Sequence, residues 1–83
     1  MRNMYDLVLY YYPACPYCRK VTRFIDKNDI ELELKNINKD KEAEATLIKV
    51  GGKRQVPCLF INGKPLYESD DIIRWLDQNI VGG

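Results

Sequence analysis

Histidine is missing altogether from this chain of 83 residues. Its absence excludes Ser-His-Asp and Cys-His nucleophile pairs and any zinc site built on imidazole. A surplus of one charge is missing too. The 13 Lys and Arg face 12 Asp and Glu, leaving no strong field to draw the chain onto nucleic acid or an anionic membrane. Glycine and proline are sparse, at 5 and 4, beside 46% hydrophobic and 30% charged residues. That balance excludes a collagen-like repeat or a disordered composition. Residues 7–12 form the longest apolar run near the N-terminus, far short of the ~20 residues that span a bilayer. Arg2 and Asp6 precede it and no small-residue cleavage site follows, so no signal peptide is expected. The length fits a single domain, residues 1–83. Three cysteines, two of them only three positions apart, do not form the pattern of a secreted disulfide framework. A reducing cytoplasm is therefore expected.

What is present reads as alternating strands and helices. Residues 7–12 are continuously apolar and aromatic and stop at Pro13, the pattern of a strand buried on both faces. Pro16 suits the first position of a helix, which makes Cys15 its N-cap, with Val21, Phe24 and Ile25 as the apolar stripe. Asn28 and Asp29 break it, and residues 30–35 alternate apolar and polar as a half-buried strand would. A strand, a helix and a strand over this length imply a parallel crossover. A second helix is expected from Asp40 through Ala43, Leu47 and Ile48, ended by Gly51 and Gly52. Residues 58–61 and 64–67 flank Asn62-Gly63, a favoured hairpin turn. Ser69 is then the expected cap of a last helix, with Asp70 and Asp71 in its first turn and Ile72, Ile73, Leu76 and Ile80 inward. The order is β-α-β-α-β-β-α, a four-stranded α/β sandwich with helices on both faces.

Cys15-Pro16-Tyr17-Cys18 carries the chemistry. Two cysteines three apart at a helix start lie about one turn apart, close enough to bridge. The sulfur at the N-cap faces unsatisfied backbone N–H groups and the positive end of the helix dipole, with Arg19 and Lys20 adding charge nearby. All of these favour thiolate over thiol. Burial one turn inside favours the neutral thiol at Cys18. Cys15 is thus the expected attacker and Cys18 the thiol that resolves a mixed disulfide. Structural zinc would need two further ligands, and beyond this pair only Cys58 and carboxylates are available. No metal is expected. Cys58 reads as a small buried hydrophobe, and residues 39–44 as a solvated charged helix face.

The motif after a strand, Gln55-Val56-Pro57 before another strand, and Ser69-Asp70-Asp71 opening a helix together closely resemble the glutaredoxins. The likeness runs over about residues 6 to 80. It implies a thioredoxin fold with a four-stranded mixed sheet, and a glutathione-dependent thiol–disulfide oxidoreductase acting through the Cys15/Cys18 dithiol. Glutathione would serve as reductant and co-substrate with no permanently bound cofactor. The other partners would be disulfide-bearing or glutathionylated proteins, met by a monomer that binds neither nucleic acid nor membrane. The resemblance further implies a cis bond at Val56-Pro57 and strand-like pairing of the Val56 backbone with the cysteinyl part of glutathione. Ser69 and Asp70 would meet the γ-glutamyl end, Tyr17 would flank the tripeptide, and Lys53, Arg54 or Gln55 would meet its glycine carboxylate.

Two departures qualify the likeness. Many glutaredoxins have a lysine where this chain has Tyr12, and Gly-Gly where it has Tyr67-Glu68. Tyr12 would instead line the substrate groove, and Glu68-Ser69 resembles the pair that binds the γ-glutamyl group in glutathione transferases. Loss of the lysine leaves open a redoxin reduced by thioredoxin reductase. A [2Fe–2S] carrier ligated by Cys15 and glutathione is the alternative of another class, although Pro16 and Cys18 depart from the glycine and serine of most such carriers.

Overall fold

The computed structural model describes residues 5–82; Arg2 and Gly83 lie outside them. Five elements lead to the last hairpin strand and helix in the expected order: β1 (Leu7–Tyr11), α1 (Pro16–Lys27), β2 (Glu33–Asn36), α2 (Lys41–Gly51), β3 (Cys58–Ile61), β4 (Lys64–Tyr67) and α3 (Ser69–Leu76). The strands lie in the order β2-β1-β3-β4, with β1 parallel to β2 and the other pairs antiparallel.

The apolar run of β1 is inside because the sheet is covered on both faces. Leu7 and Leu9 point to one side, where they pack with Val21 and Ile25 of α1, Leu59, and Ile72 and Leu76 of α3. Tyr10 points to the other, with Phe60, Cys58, Ile37, and Ala43 and Leu47 of α2. The Tyr10 and Phe60 ring centroids are 4.5 Å apart. Leu9, Leu47, Leu59, Ile72 and Leu76 have no exposed surface, and burial of each such side chain stabilises the fold by roughly 1.5–3 kcal/mol.

Local signals set the element ends. Pro16 opens α1 and Asp29 leaves it with φ of 55°. Asp40 caps α2 by accepting the Ala43 N–H at 3.0 Å, and Gly52 closes it at φ of 85°, a conformation that costs glycine no Cβ clash. Asn62 and Gly63 take φ of 50° and 85°, as a type I′ hairpin turn requires.

Four expectations need correction. The second strand begins at Glu33 rather than Ile30, because only residues 33–36 find partners on β1. Ile30 and Leu32 pack on the core without joining the ladder, while Leu34 is exposed at the edge of the sheet. Ile48 is exposed as well, so α2 buries only Ala43 and Leu47. Ser69 is the first residue of α3 rather than its cap. That place falls to Glu68, held at φ of 74°. Finally, Ile73 and Ile80 are only partly buried, and the helix widens after Leu76 into a π-type turn over Asp77–Val81. Among the described residues no helix is long and apolar enough to cross a membrane.

Candidate active site

The antiparallel pairing of β1 with β3 sets Tyr10 opposite Cys58. The chain leaving β1 and the chain entering β3 therefore meet at one end of the sheet. The first delivers Cys15-Pro16-Tyr17-Cys18 and the second delivers Val56-Pro57, whose peptide bond is cis as expected.

Cys15 is the N-cap of α1, with extended backbone at φ −78° and ψ 121° and no side-chain capping bond. Its amide donates to the Tyr12 carbonyl at 3.3 Å and its carbonyl accepts from Arg19 at 3.0 Å, so the turn is tied at both ends. The sulfur-bearing side chain keeps a little exposure, 8% against 0% for Cys18. Burial above all, with the hydrogen bond to Cys15 and its charge, pushes the Cys18 thiol up to about 12, against a backbone hydrogen bond with Tyr12. Cys18 is thus a neutral thiol. Cys15, Cys18 and Cys58 are all free.

Beside this turn lies a concavity of about 420 Å³. Tyr17 forms one wall, exposed over 66% of its surface. Gln55, Val56 and Pro57 form the second, and Glu68, Ser69 and Asp70 at the start of α3 the third. Of the residues expected at glutathione, Tyr17, Gln55, Val56, Pro57, Glu68, Ser69 and Asp70 thus share one pocket. The first amides of α3 have no intrahelical acceptor and the dipole favours an anion there. Ser69 is buried against this end at 7% exposure.

Three side chains are already engaged. Asp70 accepts a hydrogen bond from Lys20 Nζ on α1, and that pairing holds its carboxyl below the usual range. Glu68 Oε1 accepts from the Gln55 amide at 3.3 Å. The second contact joins two of the pocket's walls, and the first ties the third wall to α1. Neither was anticipated from the sequence, since the partners lie 50 and 13 residues apart.

Other candidates lie elsewhere. Arg54 turns away, donating from Nε to Glu44 at 2.6 Å and from Nη2 to Asn38 at 2.9 Å. It is not among the residues lining the pocket, beside which it was expected to meet a glycine carboxylate. Lys53 lies over the Tyr67 ring, its Nζ 4.6 Å from the centroid. Tyr12 does not line the pocket; it packs half-buried against the cluster that holds Tyr10, Cys58 and Phe60, and its carbonyl accepts the Cys15 amide. Tyr67, which the sequence offered only as a strand residue, donates from its hydroxyl to the Gly51 carbonyl at 2.9 Å and hydrogen-bonds Cys58. Burial drives the Cys58 thiol up to about 11, against the hydrogen bonds with Tyr67 and Leu66.

Comparison with known proteins bears on the family and the fold. The family described as glutathione S-transferase, N-terminal domain, matches residues 9–82, a span that includes the Glu68-Ser69 pair. Glutaredoxin 1 of Rickettsia typhi is 33% identical over 79 residues, covering 92% of this chain and 74% of that protein. Among solved structures, a thioredoxin-like protein superposes with a TM-score of 0.78 at 25% identity over 92% of this chain and 95% of its own. The omega-class glutathione transferase 3C of Trametes versicolor gives 0.74 at 28% identity over 88% of this chain. This chain covers only 33% of that transferase. The fold is the thioredoxin fold.

Proposed function

The chain belongs to the glutaredoxin family, with a domain of the glutathione S-transferase N-terminal type, and from that premise we propose that it is a glutathione-dependent thiol–disulfide oxidoreductase. Its substrates are protein disulfides and glutathione mixed disulfides. The observation that carries this reading is the adjacency of a helix-capping cysteine to a pocket of tripeptide size whose far end is a helix N-terminus. Residues 1–83 act as one glutaredoxin-like unit.

Glutathione lies with its γ-glutamyl carboxylate on the first amides of α3 beside Ser69. Its ammonium is received by Asp70 in competition with Lys20. Its cysteinyl backbone pairs with Val56 next to Pro57, Tyr17 covers the tripeptide, and Gln55 meets the glycine end. That pose brings the glutathione sulfur to Cys15.

With a glutathionylated protein, the Cys15 thiolate attacks the glutathione sulfur. The protein thiolate leaves, and the glutathione sulfur is now bonded to Cys15. A second glutathione thiolate attacks that sulfur, giving glutathione disulfide and restoring Cys15. With a protein disulfide, Cys15 takes one sulfur and releases the other as thiolate. Cys18 gives up its proton, attacks the Cys15 sulfur and expels the second thiol. Two glutathiones then reduce the Cys15–Cys18 bond. Because burial holds Cys18 protonated, it stays inert until a leaving thiolate arrives to take its proton, which orders the two steps.

The test is turnover of a glutathione mixed disulfide of a small thiol, coupled to glutathione reductase. Wild type turns over, Cys15→Ser does not, and Cys18→Ser keeps most of the rate because the second glutathione acts directly. Full activity in Cys15→Ser would remove the proposal.

A further inference from the structure

A second and larger concavity, about 550 Å³, shares no lining residue with the pocket beside Pro57. It begins at the same cysteine turn, since Pro13 and Arg19 line it and the Arg19 amide is bonded to the Cys15 carbonyl. At about 100° per residue, Arg19, Thr22, Arg23 and Asp26 fall on the side of α1 turned away from Tyr17. The two cavities therefore open on different sides of the helix that Cys15 caps.

Their chemistry differs. The floor of the larger one is apolar: Tyr11, Ile25 and Leu34, with Leu34 45% exposed. Arg19 and Arg23 stand over it one turn apart on α1. Arg54 and Arg74 have carboxylate partners, whereas neither Arg19 nor Arg23 has one among the described residues. The outer wall is β2, the end strand of the sheet. Its outer side pairs with nothing among the described residues, so it can run alongside an extended chain. Asp26 lies at the end of α1 away from Cys15, which confines the positive potential to the part of the groove next to the reacting sulfur.

We infer that this groove docks the protein half of the substrate, as an extended segment with acidic residues close to its reactive cysteine and an apolar side chain seated on Leu34 and Tyr11. Guanidinium groups suit carboxylates through paired N–H donors, and the exposed leucine supplies the apolar contact. The inference rests on the oxidoreductase reading, in which glutathione takes the opposite cavity and the two halves of a mixed disulfide meet at Cys15.

The test uses two glutathionylated peptides of equal length, each with a leucine, one with Asp and Glu around its cysteine and one with Lys. The glutathione mixed disulfide of 2-mercaptoethanol serves as a substrate with no protein half. Wild type prefers the acidic peptide by about tenfold in kcat/KM, the preference shrinking with added salt. Arg23→Glu abolishes or reverses that preference and leaves the small substrate within about twofold, while Leu34→Ser lowers both peptides and spares the small substrate. Equal treatment of the two peptides by wild type overturns the inference, as does an Arg23→Glu variant impaired equally on all three substrates. Binding is measured separately with the same peptides carrying serine for cysteine, on Cys15→Ser/Cys18→Ser protein. The acidic peptide shifts the amide resonances of Arg23 and Leu34; shifts confined to the Pro57 side overturn the docking site. Selective binding without turnover of any glutathione disulfide would instead leave the groove assigned and remove the oxidoreductase reading.

Discussion

Cys15 and Cys18 come from one β–α junction, within four consecutive residues tied to Tyr12 and Arg19 by backbone hydrogen bonds. The pocket beside them draws on three separate segments: Tyr17 of α1, Gln55 to Pro57 before β3, and Glu68 to Asp70 at α3. The reacting half is thus set by local chain geometry. The recognising half exists only once β1, β3 and β4 have paired and α1 has docked on α3. Damage to the first should be felt in the rate constant of the chemical step, and damage to the second in the affinity for glutathione.

The largest expected effect is on the reacting half. Cys15→Ser should lower kcat on protein disulfides by roughly three orders of magnitude or more, the scale on which loss of a nucleophile is felt. Its glutathione affinity, read by titration with S-methylglutathione, should change little. A large affinity loss would erase the division between the halves. Next in size is the recognising half, where Asp70→Asn should raise KM for glutathione by about three- to tenfold with kcat held, because a charge-assisted contact at an exposed site is lost. A fall in kcat instead would move Asp70 into the reacting half.

A smaller effect separates the buried thiols from the pocket. Cys18 and Cys58 are raised to about 12 and about 11, above the ordinary thiol value of 9.0. Below that value both states keep their protons and the contribution to stability is complete. As pH rises past it, the unfolded thiols ionise first and stability declines by about 1.4 kcal/mol per pH unit for each thiol, until the folded group titrates too. Urea unfolding between pH 8 and 11 should show this slope, and Cys58→Ala should reduce it. The smallest effect concerns Lys20, which competes for Asp70. Lys20→Gln should lower KM for glutathione by about twofold, since an exposed pair is worth little, and leave KM for an analogue without the ammonium unchanged.

Sequence legibility follows the same division. The cysteine turn, the caps at Asp40 and Gly52 and the Asn62-Gly63 turn could be read because each is decided by a few neighbouring residues. The start of β2 could not, because alternation at Ile30 and Leu32 satisfies a strand pattern while the ladder is limited by what β1 offers. Glu68 as a left-handed cap carries no local signal; a glutamate seldom accepts positive φ, and here Gln55 holds its side chain. The contacts of Arg54 were hidden for a similar reason, its two acceptors lying 10 and 16 residues away. The pocket lining was legible only through the resemblance to glutaredoxins, which supplied the cis bond at Pro57 and the role of α3 that spacing alone does not encode.

The pairing of Tyr10 with Cys58 also acts as a gauge of tolerance for the whole catalyst. A strand advances about 3.3 Å per residue. Slippage of β3 against β1 by a single position would carry Pro57 that far along the sheet, and would also turn Cys58 and Phe60 toward the wrong layer. The alignment between Cys15 and the pocket beside it is therefore calibrated in the middle of the protein, by side chains that line no part of that pocket.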